Sequence, residues 1–405
     1  MRWLLLPLLL LAALLSGCAS ILRTPIPPAA ALTLPAIPHI QGSRTWGDEV
    51  PVDVVAEFKR AMPNLPGFGV GPRRSASNAP VKFNILALSG GGPNGAFGAG
   101  VLTGWTARGD RPKFDLVTGV SAGALIAPFA YLGPRYDPQL REVWTQYETK
   151  ELVTAQILPG LLGGDALADT GPLKELIAKY VTRQMMREIA AEYRKGRMLS
   201  IGTTNLDAKR PVVWNMGEIA IHDTLEALQL FRDVLLASAS IPGAFPPVNI
   251  KVVVDGQLYD EMHVDGGVTR QVFVAPVNVP YEAFNRFYAT VPDRTLWRIQ
   301  NGKMNPEYSA VTQQTIPIAA TSIQTVLINQ HKGDVYRIYR MSEDAGVAFN
   351  MLAIPDEFSG RPKQVFDPEF QALLFDEGVR IGRRGGPWQH QPPELGPTRK
   401  AAAAR

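Results

Sequence analysis

The stretch Asp115-Leu116-Val117-Thr118-Gly119-Val120-Ser121-Ala122-Gly123-Ala124-Leu125 decides the fold. Leu116 and Val117 read as a buried strand, Gly119-Val120-Ser121-Ala122-Gly123 fits the pattern G-x-S-x-G, and the residues from Ala124 onward read as a helix. Glycines on both sides of Ser121 allow a sharp, strained turn with neighbouring chain packed close against it. The turn lifts the hydroxyl to the strand's C-terminal edge, above the first amides of a helix, where developing negative charge is favoured. Ser121 is therefore the candidate nucleophile, at an elbow framed by Gly119 and Gly123. It needs a base and an oxyanion hole from elsewhere in the chain.

Upstream, the apolar run of residues 81–88 predicts a strand that feeds Ser89-Gly90-Gly91-Gly92-Pro93-Asn94-Gly95 and then a helix. Gly90-x-Gly92-x-x-Gly95 satisfies the dinucleotide fingerprint, with Asp110 or Asp115 as a ribose partner. The same loop also reads as an oxyanion hole built from Gly90, Gly91, Gly92 and Asn94. Pro93 has no N–H to give, whereas Gly91, Gly92 and Asn94 can donate to one anionic oxygen. In a parallel sheet both loops fall on one edge, so the oxyanion reading explains both units together.

For the base, His263-Val264-Asp265-Gly266-Gly267-Val268 predicts a strand ending in an acid, with two glycines that admit another loop. Asp265 is the candidate. Of the five histidines, His39 and His390 lie towards the ends, while His222 and His331 read as capping residues near helix ends. His263 shares Asp265's strand face and stays open as a triad member. The alternative is a dyad in which Asp265 acts on Ser121 directly, its pKa raised from about 3.9 by desolvation.

Taken together, Gly90-Gly91-Gly92-Pro93-Asn94-Gly95, Gly119-Val120-Ser121-Ala122-Gly123, the Ala237-Ser238 to Pro242 stretch and Asp265-Gly266-Gly267 resemble the ordered blocks of the patatin-like phospholipases. The resemblance spans residues 83–268. It implies an α/β three-layer fold, a mostly parallel central sheet between helices. It also implies a Ser–Asp dyad of Ser121 and Asp265, an oxyanion hole from the glycine loop, and hydrolysis of lipid acyl esters. Asn94 stands where the family often has Arg or Lys, which removes that side chain's electrostatic help.

The remaining sequence sets the context. Arg2 followed by the apolar residues 4–15 and Leu15-Ser16-Gly17-Cys18 resembles a bacterial lipoprotein signal, implying cleavage of 1–17 and a membrane anchor on lipidated Cys18. Ala19 after it resembles the outer-membrane sorting pattern. Cys18 is the only cysteine, so no internal disulfide is expected. Residues 18–79, rich in proline, read as a tether; 80–384 as the globular domain; 385–405 as a disordered tail. A helix is expected over 50–62, an apolar loop over 158–164, a helix over 312–328 and a strand over 335–339. Hydrophobic residues make up 46% and the net charge is +4, without a basic patch interleaved with aromatics, which argues against nucleic acid. No cluster of metal ligands stands out, so the expected chemistry needs no metal or cofactor. Two other readings stay open: a nucleotide-binding protein using the glycine loop, and a catalytically silent lipoprotein scaffold.

Overall fold

The computed structural model describes residues 23–50, 80–155, 166, 168–274, 285, 291–305, 307–393 and 395. The leader, Cys18, nearly all of 50–62 and the 158–164 loop lie outside them.

A nine-stranded sheet forms the centre. Its strands are β1 Arg44–Trp46, β2 Lys82–Leu88, β3 Leu116–Val120, β4 Met198–Asn205 and β5 Arg210–Asn215. The remainder are β6 Val248–Val254, β7 Gln257–Asp265, β8 Asp293–Gln300 and β9 Ala348–Ala353. The main order is β1-β5-β4-β3-β2-β8-β9, with the β6–β7 hairpin attached through β7 to the end of β4. Neighbours from β4 to β9 run parallel, whereas β5 is antiparallel to β4 and β1 to β5. The expected mostly parallel sheet is present.

The longer helices are α1 Gly95–Arg108, α2 Ala122–Leu132, α3 Asp137–Thr145, α4 Gly171–Tyr180, α5 Arg183–Tyr193, α6 Leu225–Ala239, α7 Thr315–Asp344 and α8 Pro368–Arg383. Strand alternation splits the core between two faces. Leu86 and Leu88 of β2 join Val117 and Leu199 beneath α1, α2, α6 and α8. Ile85 and Ala87 point the other way, onto Val335, Ile338 and Tyr339 of α7. From Ile85 to Leu88 β2 is buried on both faces and reads as the continuous apolar run that parallel strands require.

Three stretches depart from the sequence expectation. Within the expected tether, residues 24–49 pack on the domain: β1 pairs with β5, Thr24 N–H donates to Asp260 Oδ2 at 2.9 Å, and Ile26, Ile37, Ile40 and Trp46 are buried. Prolines disfavour helix interiors but allow extended chain and a first helical turn, such as that at Pro28–Ala31, and these four apolar side chains supply the burial that fixes the segment. The strand expected over 335–339 is part of the single helix α7. Val335, Ile338, Tyr339 and Ser342 recur at helical spacing and bury one face. The tail is ordered through 385–393, because Trp388 stacks within 5.2 Å of Trp105 and 5.0 Å of Trp297, and Gln389 bridges to Met351.

The α1–α8 pair anchors the segment that follows the glycine loop. A Cβ on Gly378 of α8 would overlap the Phe97 carbonyl of α1, so the two backbones are in direct contact. Gly378→Leu is expected to cost about 1–3 kcal/mol by overpacking, read as a lower urea midpoint with an unchanged slope.

Candidate active site

Ser121 sits between the last residue of β3 and the first of α2, with φ 53° and ψ −124°. This left-handed conformation costs a non-glycine residue on the order of 1–3 kcal/mol and persists only where its surroundings over-determine it. Here Ser121 N–H donates to Ser238 Oγ at 3.0 Å, and Ser238 Oγ donates onward to the Gly202 carbonyl at 2.7 Å. The Ser121 carbonyl accepts from Ala124 N–H at 2.9 Å. A Cβ on Gly119 would strike the Gly123 carbonyl, and one on Gly123 the Leu88 carbonyl, so the turn closes only with glycine at both places. Ala122 and Gly123, which open α2, keep N–H groups without an acceptor among the described residues.

Sheet register brings Asp265 to this elbow. Strand β3 pairs with β4 as far as Val120 opposite Gly202, and the next β4 residue, Thr203, is opposite Asp265 on β7. Two strands thus finish at adjacent positions along one partner. Asp265 N–H donates to the Ser240 carbonyl at 2.9 Å, and Asp265 Oδ1 accepts from Gly267 N–H at 2.7 Å. Ser121 and Asp265 are 6% and 5% exposed. Burial pushes the Asp265 carboxyl up to about 6, and hydrogen bonding by the Ser121 side chain and Gly267 N–H offsets only part of that.

His263 does share Asp265's strand face, but both its nitrogens are engaged elsewhere. Nδ1 lies 3.0 Å from Thr203 Oγ1 and Nε2 3.0 Å from Glu261 Oε2, with Trp214 edge-on at 5.5 Å. Glu261 in turn takes both arms of the Arg44 guanidinium. His263 therefore belongs to a buried network that ties β1 to β7. None of the five histidines hydrogen-bonds Ser121 or Asp265; His331 sits mid-helix on α7 beside Arg298, not at a helix end.

The glycine loop corrects the list of donors. Gly90 N–H is spent on the Gln271 carbonyl at 3.1 Å, and Asn94 N–H on the Gly91 carbonyl at 3.1 Å. Gly91 and Gly92 retain N–H groups with no acceptor among the described residues. Asn301, just past β8, holds the loop: its N–H donates to Ser89 Oγ at 2.9 Å, its Nδ2 to Ser89 O at 2.8 Å, and its Oδ1 accepts from Gly98 N–H at 3.1 Å. The ribose partners required by the nucleotide reading lie at the other sheet edge. Asp115 precedes β3 and accepts from Asn84 N–H at 2.8 Å, and Asp110 follows α1. Sequence reasoning missed Asn301, Gln271 and the role of Ser238. The Asn301-Gly302 pair at the end of an apolar strand was a signal for the first; for Gln271, five residues beyond Asp265's glycines' start, composition offers none.

The geometry defines an α/β protein whose serine elbow, buried carboxylate and amide-bearing glycine loop meet at one sheet edge. Residues 86–278 match the family model described as Patatin-like phospholipase. Similar solved structures include VipD from Legionella pneumophila, 11% identical, with 77% of this chain and 68% of that one covered at a TM-score of 0.35. Another is full-length ExoU with full-length SpcU, from the type III secretion system of Pseudomonas aeruginosa, 13% identical, with 75% of this chain and 52% of that one covered at a TM-score of 0.28. This chain thus spans about half the length of that second match. No curated protein matches. The family match supports a lipid-acyl hydrolase.

The Asp265 proton also links folding to pH. Folded Asp265 holds its proton up to about 6, the unfolded chain only to about 3.9, so stability falls as pH rises between those values. Asp265→Asn is therefore expected to raise stability at pH 8 by about 1–3 kcal/mol, a gain that vanishes near pH 4. Urea unfolding at the two pH values checks this.

Proposed function

We propose that the protein is a serine acyl hydrolase that cleaves carboxylic esters of lipids through a covalent acyl-enzyme. Ser121 Oγ attacks the ester carbonyl carbon as Asp265 takes its proton. The oxyanion that forms is held by Gly91 and Gly92 N–H, aided by the first amides of α2. The carbonyl re-forms, the C–O bond to the alcohol breaks, and Asp265 gives that alcohol the proton. Water then attacks the acyl-enzyme as Asp265 takes its proton; the bond from the acyl carbon to Ser121 Oγ breaks, the carboxylic acid leaves, and Asp265 returns the proton to Ser121 Oγ.

The observation that carries this reading is Asp265 itself: a carboxylate desolvated next to the serine, pushed up to about 6 and so a better base than an ordinary aspartate. The family match supports lipid as the substrate class, of which glycerophospholipid acyl esters are the first to examine. The sequence before Cys18 supports membrane tethering through a lipidated cysteine; Cys18→Ala is expected to release the protein from the membrane fraction.

Hydrolysis of a medium-chain acyl ester by the wild type is expected to fall by at least about a thousandfold in Ser121→Ala. The wild-type rate is expected to rise with pH through a midpoint near 6 and level off above it, because only the ionised carboxylate accepts a proton. A rate that Ser121→Ala leaves unchanged would contradict the assignment.

A further inference from the structure

Helix α7 enters the domain at the catalytic edge and overshoots it. Strand β8 runs parallel to β2 and β3, so its end at Gln300 is at the edge that bears Ser121. Arg298 Nη2, near that end, lies 3.0 Å from His331 Nε2. One turn on, Asp334 Oδ2 accepts from Gln271 N–H at 2.8 Å, and Val335, Ile338 and Tyr339 descend the sheet face. Residues 315–330 therefore lie beyond the edge, a helical arm of about 24 Å at 1.5 Å per residue.

The arm's chemistry is unusual for a surface helix. From Tyr308 to Gln330 the chain holds no Asp, Glu, Lys or Arg. Ile318 and Ile328 are exposed, and Ile323 and Val326 are 53% and 64% exposed. Polar side chains turn back on the helix: Thr325 Oγ1 donates to the Thr321 carbonyl and Asn329 Nδ2 to the Thr325 carbonyl, both at 2.8 Å. That lowers the cost of taking them out of water. At the arm's root the charge is opposite to that of anionic lipid. Arg270, Arg337 and the fully buried Arg298 surround the Asp334 carboxylate, with Arg337 Nη1 at 3.0 Å, and the other carboxylate acting on Arg270, that of Asp48, is itself paired with Arg210. Among the described residues no helix is long and apolar enough to cross a membrane, which fits lying on one rather than spanning it.

We propose that residues 315–330 of α7 dock on the surface of an anionic phospholipid bilayer, with Ile323 and Val326 entering the acyl region and the half-buried Arg270 and the exposed Arg337 at the root facing the phosphates. Docking sets the catalytic edge against the lipid whose esters it cleaves, and in that respect the inference rests on the proposed hydrolase.

The test uses the full chain with Cys18→Ser and Val326→Cys, labelled at the new cysteine with a polarity-sensitive dye. Its probe is a vesicle of phosphatidylethanolamine and phosphatidylglycerol. Emission is expected to shift to the blue with vesicles, and the shift to be lost when Ile323→Glu is added. In the unlabelled chain, Ile323→Glu with Val326→Glu is expected to lower vesicle hydrolysis by about tenfold and to leave turnover of a monomeric soluble ester within about twofold. A blue shift in a chain that hydrolyses neither substrate would uphold docking while removing the hydrolase. Emission indifferent to vesicles would overturn the proposal. So would a blue emission without lipid, accompanied by a doubled mass in sedimentation, since a second copy would then cover the arm.

Discussion

The pairing of β4 is the constraint on which the site depends. Its first five residues take β3 as a parallel partner, and Thr203, Thr204 and Asn205 take β7 as an antiparallel one. Ser121 lies one residue past the end of the first ladder and Asp265 is the first residue of the second. A slip of one residue in either ladder would turn the strand's side chains to the other face of the sheet and part the pair. The hairpin turn at Asp255-Gly256, both residues at positive φ, fixes the register of β6 with β7 and so where β7 ends.

Two groups at that junction carry a cost in stability. Ser121 is held at a positive φ, and Asp265 is desolvated with no cation beside it among the described residues. Both are costs that surrounding bonds must offset. Ser238 bridges Ser121 N–H to β4, Asn301 ties β8 to the glycine loop, and the Gln271 carbonyl holds Gly90 from the opposite side. These bonds reach the site from elements far apart in sequence. Asn301 and α8, which backs α1, lie beyond the family match at 86–278, so the C-terminal part contributes to the site's support.

Much of this was legible in the sequence because it is local. A strand, a glycine turn and a helix within eleven residues specify the elbow, and the Asp255-Gly256 turn and the strand end at Asp265 follow by the same logic. What was not legible depends on distant partners. Whether Gly90 and Asn94 could donate depended on the Gln271 and Gly91 carbonyls; whether His263 was free depended on Thr203 and Glu261. Composition misread residues 24–49 and 385–393 for one reason. Proline and glycine content describes what the backbone avoids, whereas Ile26, Ile37, Trp46 and Trp388 decide where the segments lie. In α7, Val335, Ile338 and the tyrosines of 335–339 fit a strand until the helical repeat is followed through Ser342.

The central claim is that Asp265 activates Ser121 without a histidine. The most direct measurement is the rate at which a fluorophosphonate forms a covalent adduct, mapped by mass spectrometry and followed across pH in the wild type and in Asp265→Asn. The account predicts an adduct on Ser121 alone, forming with a midpoint near 6 and strongly slowed at all pH values above it in Asp265→Asn. An adduct on another serine, or one on Ser121 that forms equally fast without the Asp265 carboxylate, would contradict it.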